Sequence, residues 1–246
     1  MRQVANGVWM GTGTSVNWMV VRDGGQLTLV DSGYPGDLGQ LEASLAEVGH
    51  RPSDITAVLL THAHVDHTGG LNALREHYGV PVFMHPEEVP LARGERREQA
   101  TTWDVVSRSW RPRVATWGWQ ILRAGAMTHP VIGHARAWDA DGALDLPGCP
   151  VPVPCSGHTS GHTAYLFVDR GVIATGDALV TGHPVSGKHT PHLLPGFFNT
   201  STDEARAALA RLAAVDADTI VPGHGPVWMG SLRLAADAAA ADHDYC

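Results

Sequence analysis

The apolar positions of this chain recur with two periods, and the alternation between them lays out its elements. Residues 4–10, 16–21 and 26–30 read as three short strands in succession, the last two joined by the turn Asp23-Gly24-Gly25. Leu38, Leu41, Leu45 and Val48 then repeat at helical spacing, which predicts an amphipathic helix over residues 37–48. Residues 55–60 form a strongly apolar run, read as a buried strand. A helix near residues 71–77 and a strand over 80–84 follow. Helix and strand thus alternate through the first third, the signature of an α/β layered fold.

Residues 87–140 break this rhythm. The stretch holds Trp103, Trp110, Trp117, Trp119 and Trp138, and it is long for a plain connection, so it predicts a helical cap inserted into a single domain spanning 1–246. Its tryptophans either pack the insertion onto the body or line an apolar substrate pocket; Trp103, Trp110 and Trp117 are the pocket candidates. After Pro147 the strands resume over 151–154, 162–168 and 171–175. Ser201-Thr202-Asp203-Glu204 has capping-box spacing ahead of Ala205, Leu209, Leu212 and Val215. A short strand over 217–221 and an alanine-rich helix over 232–241 complete the pattern.

Composition narrows the classes. With 246 residues and 43% hydrophobic content the chain can bury a sizeable core. A formal charge of -8 argues against a nucleic-acid partner, and the basic runs 93–97 and 108–113 are explained by a solvated helix face. No stretch approaches a membrane span, and the first seven residues lack an apolar signal core, so no membrane partner is expected. Three cysteines, Cys149, Cys155 and Cys246, do not form a disulfide framework, which places the protein in a reducing cytoplasm. Cys155 is expected to be a buried, inert thiol. Exposed tryptophans in the insertion could pack against a second copy, giving a homo-oligomer.

The chemistry concentrates in Thr61-His62-Ala63-His64-Val65-Asp66-His67, at the carboxyl end of the predicted strand 55–60. α/β folds place their sites at such strand ends. Three imidazoles offer neutral nitrogens to a borderline metal, and Asp66 adds an anionic oxygen; the plain alternative is a surface histidine cluster. Three later segments share the layout: His158 in the loop after strand 151–154, Asp177 after 171–175, and His224 after 217–221. Neighbouring strand ends can bring all of them to one sheet edge, and the adjacent glycines permit tight turns.

In these motifs the sequence resembles the metallo-β-lactamase superfamily of metallohydrolases. The hallmark His-x-His-x-Asp-His run is matched by His62, His64, Asp66 and His67; the later ligands are matched by His158, Asp177 and His224. The Asp that follows an early strand is supplied by Val30-Asp31-Ser32-Gly33. The resemblance implies a four-layer αββα sandwich with the site at one edge of two sheets. It implies one metal on His62, His64 and His158, a second on Asp66, His67 and His224, and Asp177 bridging them. Asp31 would hold ligands in place without touching metal. Two divalent ions are implied; zinc suits the donor set best, and iron or manganese also accept it. The implied reaction is attack of metal-bound hydroxide on a carbonyl, with Asp66 both a ligand and the catalytic proton acceptor. No Gly-x-Ser-x-Gly nucleophile elbow is present to suggest an acyl-enzyme. His162 is not a ligand in the pattern and is read as the start of the next strand.

The substrate is open at this level: a small molecule with an apolar part. Ser156-Gly157-His158-Thr159-Ser160-Gly161-His162 is similar to the third motif of glyoxalase II enzymes, which cleave thioesters. Those enzymes carry a basic C-terminal helical domain for glutathione, whereas here Arg233 is the sole basic residue after His224. Acyl-homoserine lactonases share the same ligand set, and the aromatic insertion suits a lipophilic lactone or ester. Mononuclear iron enzymes that oxidise persulfides are the alternative from another class. A secreted β-lactamase or a non-catalytic metal-binding protein ranks below these. The segment between Asp177 and Ser201 should lie at the pocket mouth, with His183, His192 and Phe197 as candidate substrate contacts.

Overall fold

A computed structural model of the chain describes residues 1–139 and 142–242; Ala140, at the far end of the expected insertion, and Cys246 lie outside them. The chain opens with four antiparallel strands, β1 (Arg2–Ala5), β2 (Val8–Thr12), β3 (Asn17–Asp23) and β4 (Gln26–Val30). Helix α1 (Leu38–Glu47) leads to β5 (Ile55–Leu59), which lies parallel to β4. The short α2 (Val65–Thr68), then α3 (Leu71–Tyr78), precede β6 (Val82–Met84), parallel to β5. Next come α4 (Val89–Ala92), α5 (Thr102–Val106) and α6 (Pro112–Arg123), before β7 (Arg136–Ala137) completes a seven-stranded sheet in the order β1 to β7.

The second sheet has five strands. β8 (Val151–Pro154), β9 (Thr163–Phe167) and β10 (Val172–Gly176) run antiparallel; α7 (Thr202–Ala213) then crosses to β11 (Thr219–Pro222), parallel to β10. β12 (Trp228–Met229) pairs antiparallel at the edge, and α8 (Leu232–Ala241) packs beside α7.

Strand periodicity explains why the sheets stack. Successive side chains alternate faces. Along β3, Trp18 and Val20 join a core with Leu41, Leu45, Leu71 and Leu74 of α1 and α3, while Met19 and Val21 join another with Tyr165 and Phe167 of the opposite sheet. In β10, Ile173 faces Leu209 and Ala235 of α7 and α8, and Val172 and Ala174 face inward. Three apolar layers result, with helices outside and sheets within, so the order is αββα. Each fully buried leucine in them contributes roughly 1.5–3 kcal/mol relative to exposure.

Two expectations change. The strand read over 4–10 is a hairpin, because Gly7 at φ 71 turns the chain between β1 and β2. The stretch 87–140 is not helical throughout, since β7 returns to pair with β6. Within it, α5 starts on a reciprocal cap between Thr101 and Asp104. α6 starts on Pro112 and buries Val114 and Trp117 along one side. At the other end of the chain, the Ser201 hydroxyl accepts the Glu204 N–H at 3.3 Å and caps α7.

The sheets are stitched at one end. Thr163 N–H donates to the Thr61 carbonyl (3.0 Å), Asn17 N–H to Gly223 O (2.8 Å), and the Tyr165 hydroxyl to Leu60 O (2.9 Å). The loops that leave β5, β8, β10 and β11 meet there.

Candidate metal centre

His62 and His64 lie in the extended turn after β5, and α2 then carries Asp66 and His67 in its single turn. His158 comes from the loop between β8 and β9, Asp177 from the end of β10, and His224 from the loop after β11. Gly176 precedes Asp177 at φ 49, a left-handed conformation that favours glycine. Gly223 is needed for room: a Cβ there would stand 2.2 Å from Asp177 Oδ1.

The seven side chains converge. His64 Nδ1 and His158 Nε2 are 3.0 Å apart, and His158 Nε2 is 3.5 Å from Asp177 Oδ2. His67 Nε2 stands 3.6 Å from Asp177 Oδ1 and 3.7 Å from Asp66 Oδ2. His224 Nε2 lies 3.2 Å from Asp177 Oδ2 and 3.4 Å from Asp66 Oδ2. Within each of three sets, His62/His64/His158, His62/His67/Asp177 and Asp66/His67/His224, the ligand-type atoms fall within 4.8 Å of one another. Asp177 therefore touches both ends of the cluster.

The outer nitrogen of each ring is held by an oxygen, which decides the tautomer. His67 Nδ1–H donates to Asp31 Oδ2 at 2.8 Å, and Asp31 in turn accepts both the N–H and the hydroxyl of Thr61. His62 Nδ1–H is taken by Thr61 Oγ1 (3.0 Å) and His158 Nδ1–H by Asn199 Oδ1 (3.1 Å). His64 Nε2–H goes to the Glu98 carbonyl and His224 Nδ1–H to the Ser15 carbonyl, each at 2.5 Å. In a neutral ring the inner nitrogen is then a lone pair, as in His62, His64 and His158. With the outer nitrogens as donors, His64 Nδ1 and His158 Nε2 present acceptor sides to each other, and His62 Nε2, His67 Nε2 and Asp177 Oδ1 are buried without a partner. Imidazole nitrogens and carboxylate oxygens crowded in this way fit divalent cations of borderline softness.

Burial disfavours charge on the imidazoles of His62, His64 and His158, holding the last near 4, so all three are neutral donors. At the other end, burial of His67 is outweighed by the carboxylates of Asp31, Asp66 and Asp177, which lift it to about 9. His224 is likewise raised against burial by Asp177 and Asp66. Asp66, despite burial, is held below the carboxylate range by His67 and His224. Two acids thus demand positive charge beside them, which a cation can supply.

A cavity of about 410 Å³ opens onto the cluster. Trp117 (5% exposed) and His183 line it, as do Val114, Ile121, Leu194 and Phe198. Trp103 and Trp110, expected at the pocket, stand 74% and 76% exposed and outside the lining. On α5 it is Val105 and Val106 that face the cavity, and the exposed Trp110 ring has the Arg111 guanidinium 5.1 Å from its centroid. Phe197 also misses the lining: it packs under Arg108, and its neighbour Phe198 takes the wall position. His192 is turned away to Ser186 and the Thr190 carbonyl. Trp119, one of the insertion's tryptophans outside the three pocket candidates, lines the cavity, as does Tyr34, which no sequence signal singles out. His162, read as the start of a strand, is fully buried before β9, where its Nε2 accepts the Asp177 N–H at 3.0 Å. Glu88, Glu98 and Asn199 also support the cluster; scattered singly in sequence, they carry no motif.

Two stacked sheets, outer helices and a histidine–aspartate cluster at one edge define an αββα protein built to hold metal. Residues 11–224 match the family described as Metallo-beta-lactamase superfamily, and the chain belongs to it. Its metallohydrolase character agrees with relatives. A "Probable metallo-hydrolase YflN" of Bacillus subtilis is 26% identical over 203 residues, covering 80% of this chain and 74% of that protein. A "Hydroxyacylglutathione hydrolase" of Halorhodospira halophila is 31% identical over 188 residues, 76% of this chain but 52% of the relative, so the match spans about half of that enzyme. Among solved structures, a metallo-beta-lactamase family protein from Thermus thermophilus superimposes with a TM-score of 0.68 at 25% identity, covering 98% of this chain and 80% of that one. Among the described residues, no helix is long and apolar enough to cross a membrane.

Proposed function

We propose that the protein is a hydrolase that uses two divalent cations, zinc foremost, to cleave an uncharged acyl ester, lactone or thioester. His62, His64 and His158 would hold one cation, Asp66, His67 and His224 the other, with Asp177 between them. When bound, such cations acidify water and polarise an acyl oxygen. The observation that carries the substrate side is the cavity: its walls are aromatic and aliphatic, and its inner end is the cluster.

The chain's own groups divide the remaining work. Asp66 lines the cavity and retains some exposure, so its carboxylate can take the proton lost by an attacking water. His183 Nδ1 accepts the Val185 N–H at 3.1 Å, which leaves the proton on Nε2. Burial, followed by the neighbouring His224, keeps His183 neutral, near 3. It is therefore a neutral N–H donor on the cavity wall, suited to an acyl or leaving-group oxygen. Trp117 and Phe198 pack edge-on against His183 and exclude water from it. Among the described residues, no lysine or arginine lines this cavity; Arg96 and Arg97 line an adjoining one that shares His64 and Gln99 with it, so a charged group would have to reach beyond the acyl cavity for a cationic partner. This favours uncharged acyl substrates.

The test is proton release by zinc-loaded protein against thioesters, acyl lactones, simple esters and β-lactams, with chelated protein and His64→Ala as controls. Chelator-sensitive turnover of uncharged acyl compounds is expected. One iron per chain with dioxygen uptake, and no hydrolysis, would replace this reading with an oxidoreductase.

A further inference from the structure

Glu88, in the turn just ahead of α4, is a fully buried carboxylate that belongs to no ligand set. Its Oε2 accepts the N–H of Ala63, the residue between His62 and His64, at 2.8 Å. Its Oε1 accepts the Thr159 hydroxyl at 2.5 Å and the Gly161 N–H at 3.0 Å, both in the loop that presents His158. One side chain thus spans two ligand-bearing turns, one from each sheet. The approach is close: a Cβ at Gly161 would stand 2.9 Å from Glu88 Cγ.

Burying a carboxylate is costly unless its oxygens are satisfied. All three partners here donate, and two of them are backbone N–H groups on opposite sides that can only donate, so the side chain must offer an acceptor oxygen to each side. The same segment returns ten residues later. Glu98 accepts the Ser160 N–H at 2.7 Å and, through its carbonyl, the outer nitrogen of His64. Arg96 pairs with Glu98 at 3.1 Å and donates to Ser160 Oγ at 2.6 Å. The start of the insertion is therefore built into the walls of the three-imidazole site.

We infer that Glu88 is a positioning residue for the metal centre, setting the separation between the His62–His64 turn and the His158 loop. The inference rests on the metal-binding reading above. Glu88→Gln preserves shape but replaces one acceptor oxygen by a donor; the Thr159 hydroxyl can turn to accept from it, but the N–H of either Ala63 or Gly161 is left unpaired. Outer partners of metal ligands, when removed, lower affinity by about 10- to 100-fold. Zinc and cobalt affinities would be measured by chelator competition, together with the visible spectrum of the cobalt-loaded protein, which reports ligand geometry. Glu88→Gln should lose affinity in that range and shift the spectrum, while the exposed neighbour variant Glu87→Gln should match wild type in both. Should Glu88→Gln not fold, Thr159→Val removes one of the three contacts and should cost about 2- to 10-fold in affinity, as one hydrogen bond does. Folded Glu88→Gln or Thr159→Val with wild-type affinity and spectrum overturns the inference alone. Wild-type protein that binds neither metal overturns the metal-binding reading and the inference with it.

Discussion

Asp31→Asn is the sharpest test of how the cluster is held. Asp31 is buried and accepts three hydrogen bonds at 2.8 Å: Thr61 N–H on Oδ1, and the Thr61 hydroxyl and His67 Nδ1–H on Oδ2. Its backbone sits at φ 61. Asparagine tolerates that left-handed conformation, whereas alanine would add strain of about 1–2 kcal/mol and blur the result. The amide has one acceptor oxygen. Turned to keep Thr61 Oγ1 and His67, it sets an NH₂ against the Thr61 N–H; turned the other way, it sets one against His67. Either leaves a buried donor unpaired, worth about 1–3 kcal/mol. The surviving bond to His67 also loses its charge assistance, which roughly halves its strength. Metal-free Asp31→Asn should therefore unfold in urea with about 1–3 kcal/mol less stability. Zinc affinity by chelator competition should fall by about 10- to 100-fold, since each 1.4 kcal/mol is about tenfold. A variant that matches wild type in both, within about twofold in affinity, would refute the claim that Asp31 positions His67.

Gly223→Ala would push its Cβ to 2.2 Å from Asp177 Oδ1 and 3.0 Å from the Gly176 carbonyl carbon, so Asp177 must move by about 1 Å and turnover should drop by about 100-fold; rates on the best ester from the panel check this. If the apolar cavity receives the acyl chain, kcat/KM should rise by roughly fourfold per added methylene until the space is filled, and a flat chain-length series would count against it. Cys155 is pushed up to about 12 by burial, and Cys149 is exposed. Iodoacetamide at pH 8 should therefore label Cys149 in the native protein and Cys155 only in denaturant, as peptide mass spectrometry would show.

Local pattern carried much of the fold. The alternation through Trp18, Met19, Val20 and Val21 marks a strand buried on both faces, and the repeats in α1, α7 and α8 mark helices with one apolar side. The run from His62 to His67 declared a site because its donors are neighbours in sequence and its turn follows a strand. Boundaries shifted where a single turn residue outweighed a run of apolar ones, as at Gly7.

The identity of the elements and the kind of chemistry can be read along the chain, because periodicity and residue type are local properties. Tertiary structure decided which residues meet. The parallel pairing of β10 with β11 and the stitch from Thr163 to Thr61 bring Asp177, His158 and His224 to the turn after β5. Trp103 and Trp117 are alike as letters, yet helix orientation leaves one in solvent and buries the other at the cavity wall. Along the chain Glu88 is one more acid in a charged stretch. Its three donors come from residues 25, 71 and 73 positions away, and spacing along the chain carries no signal of a contact that only folding creates.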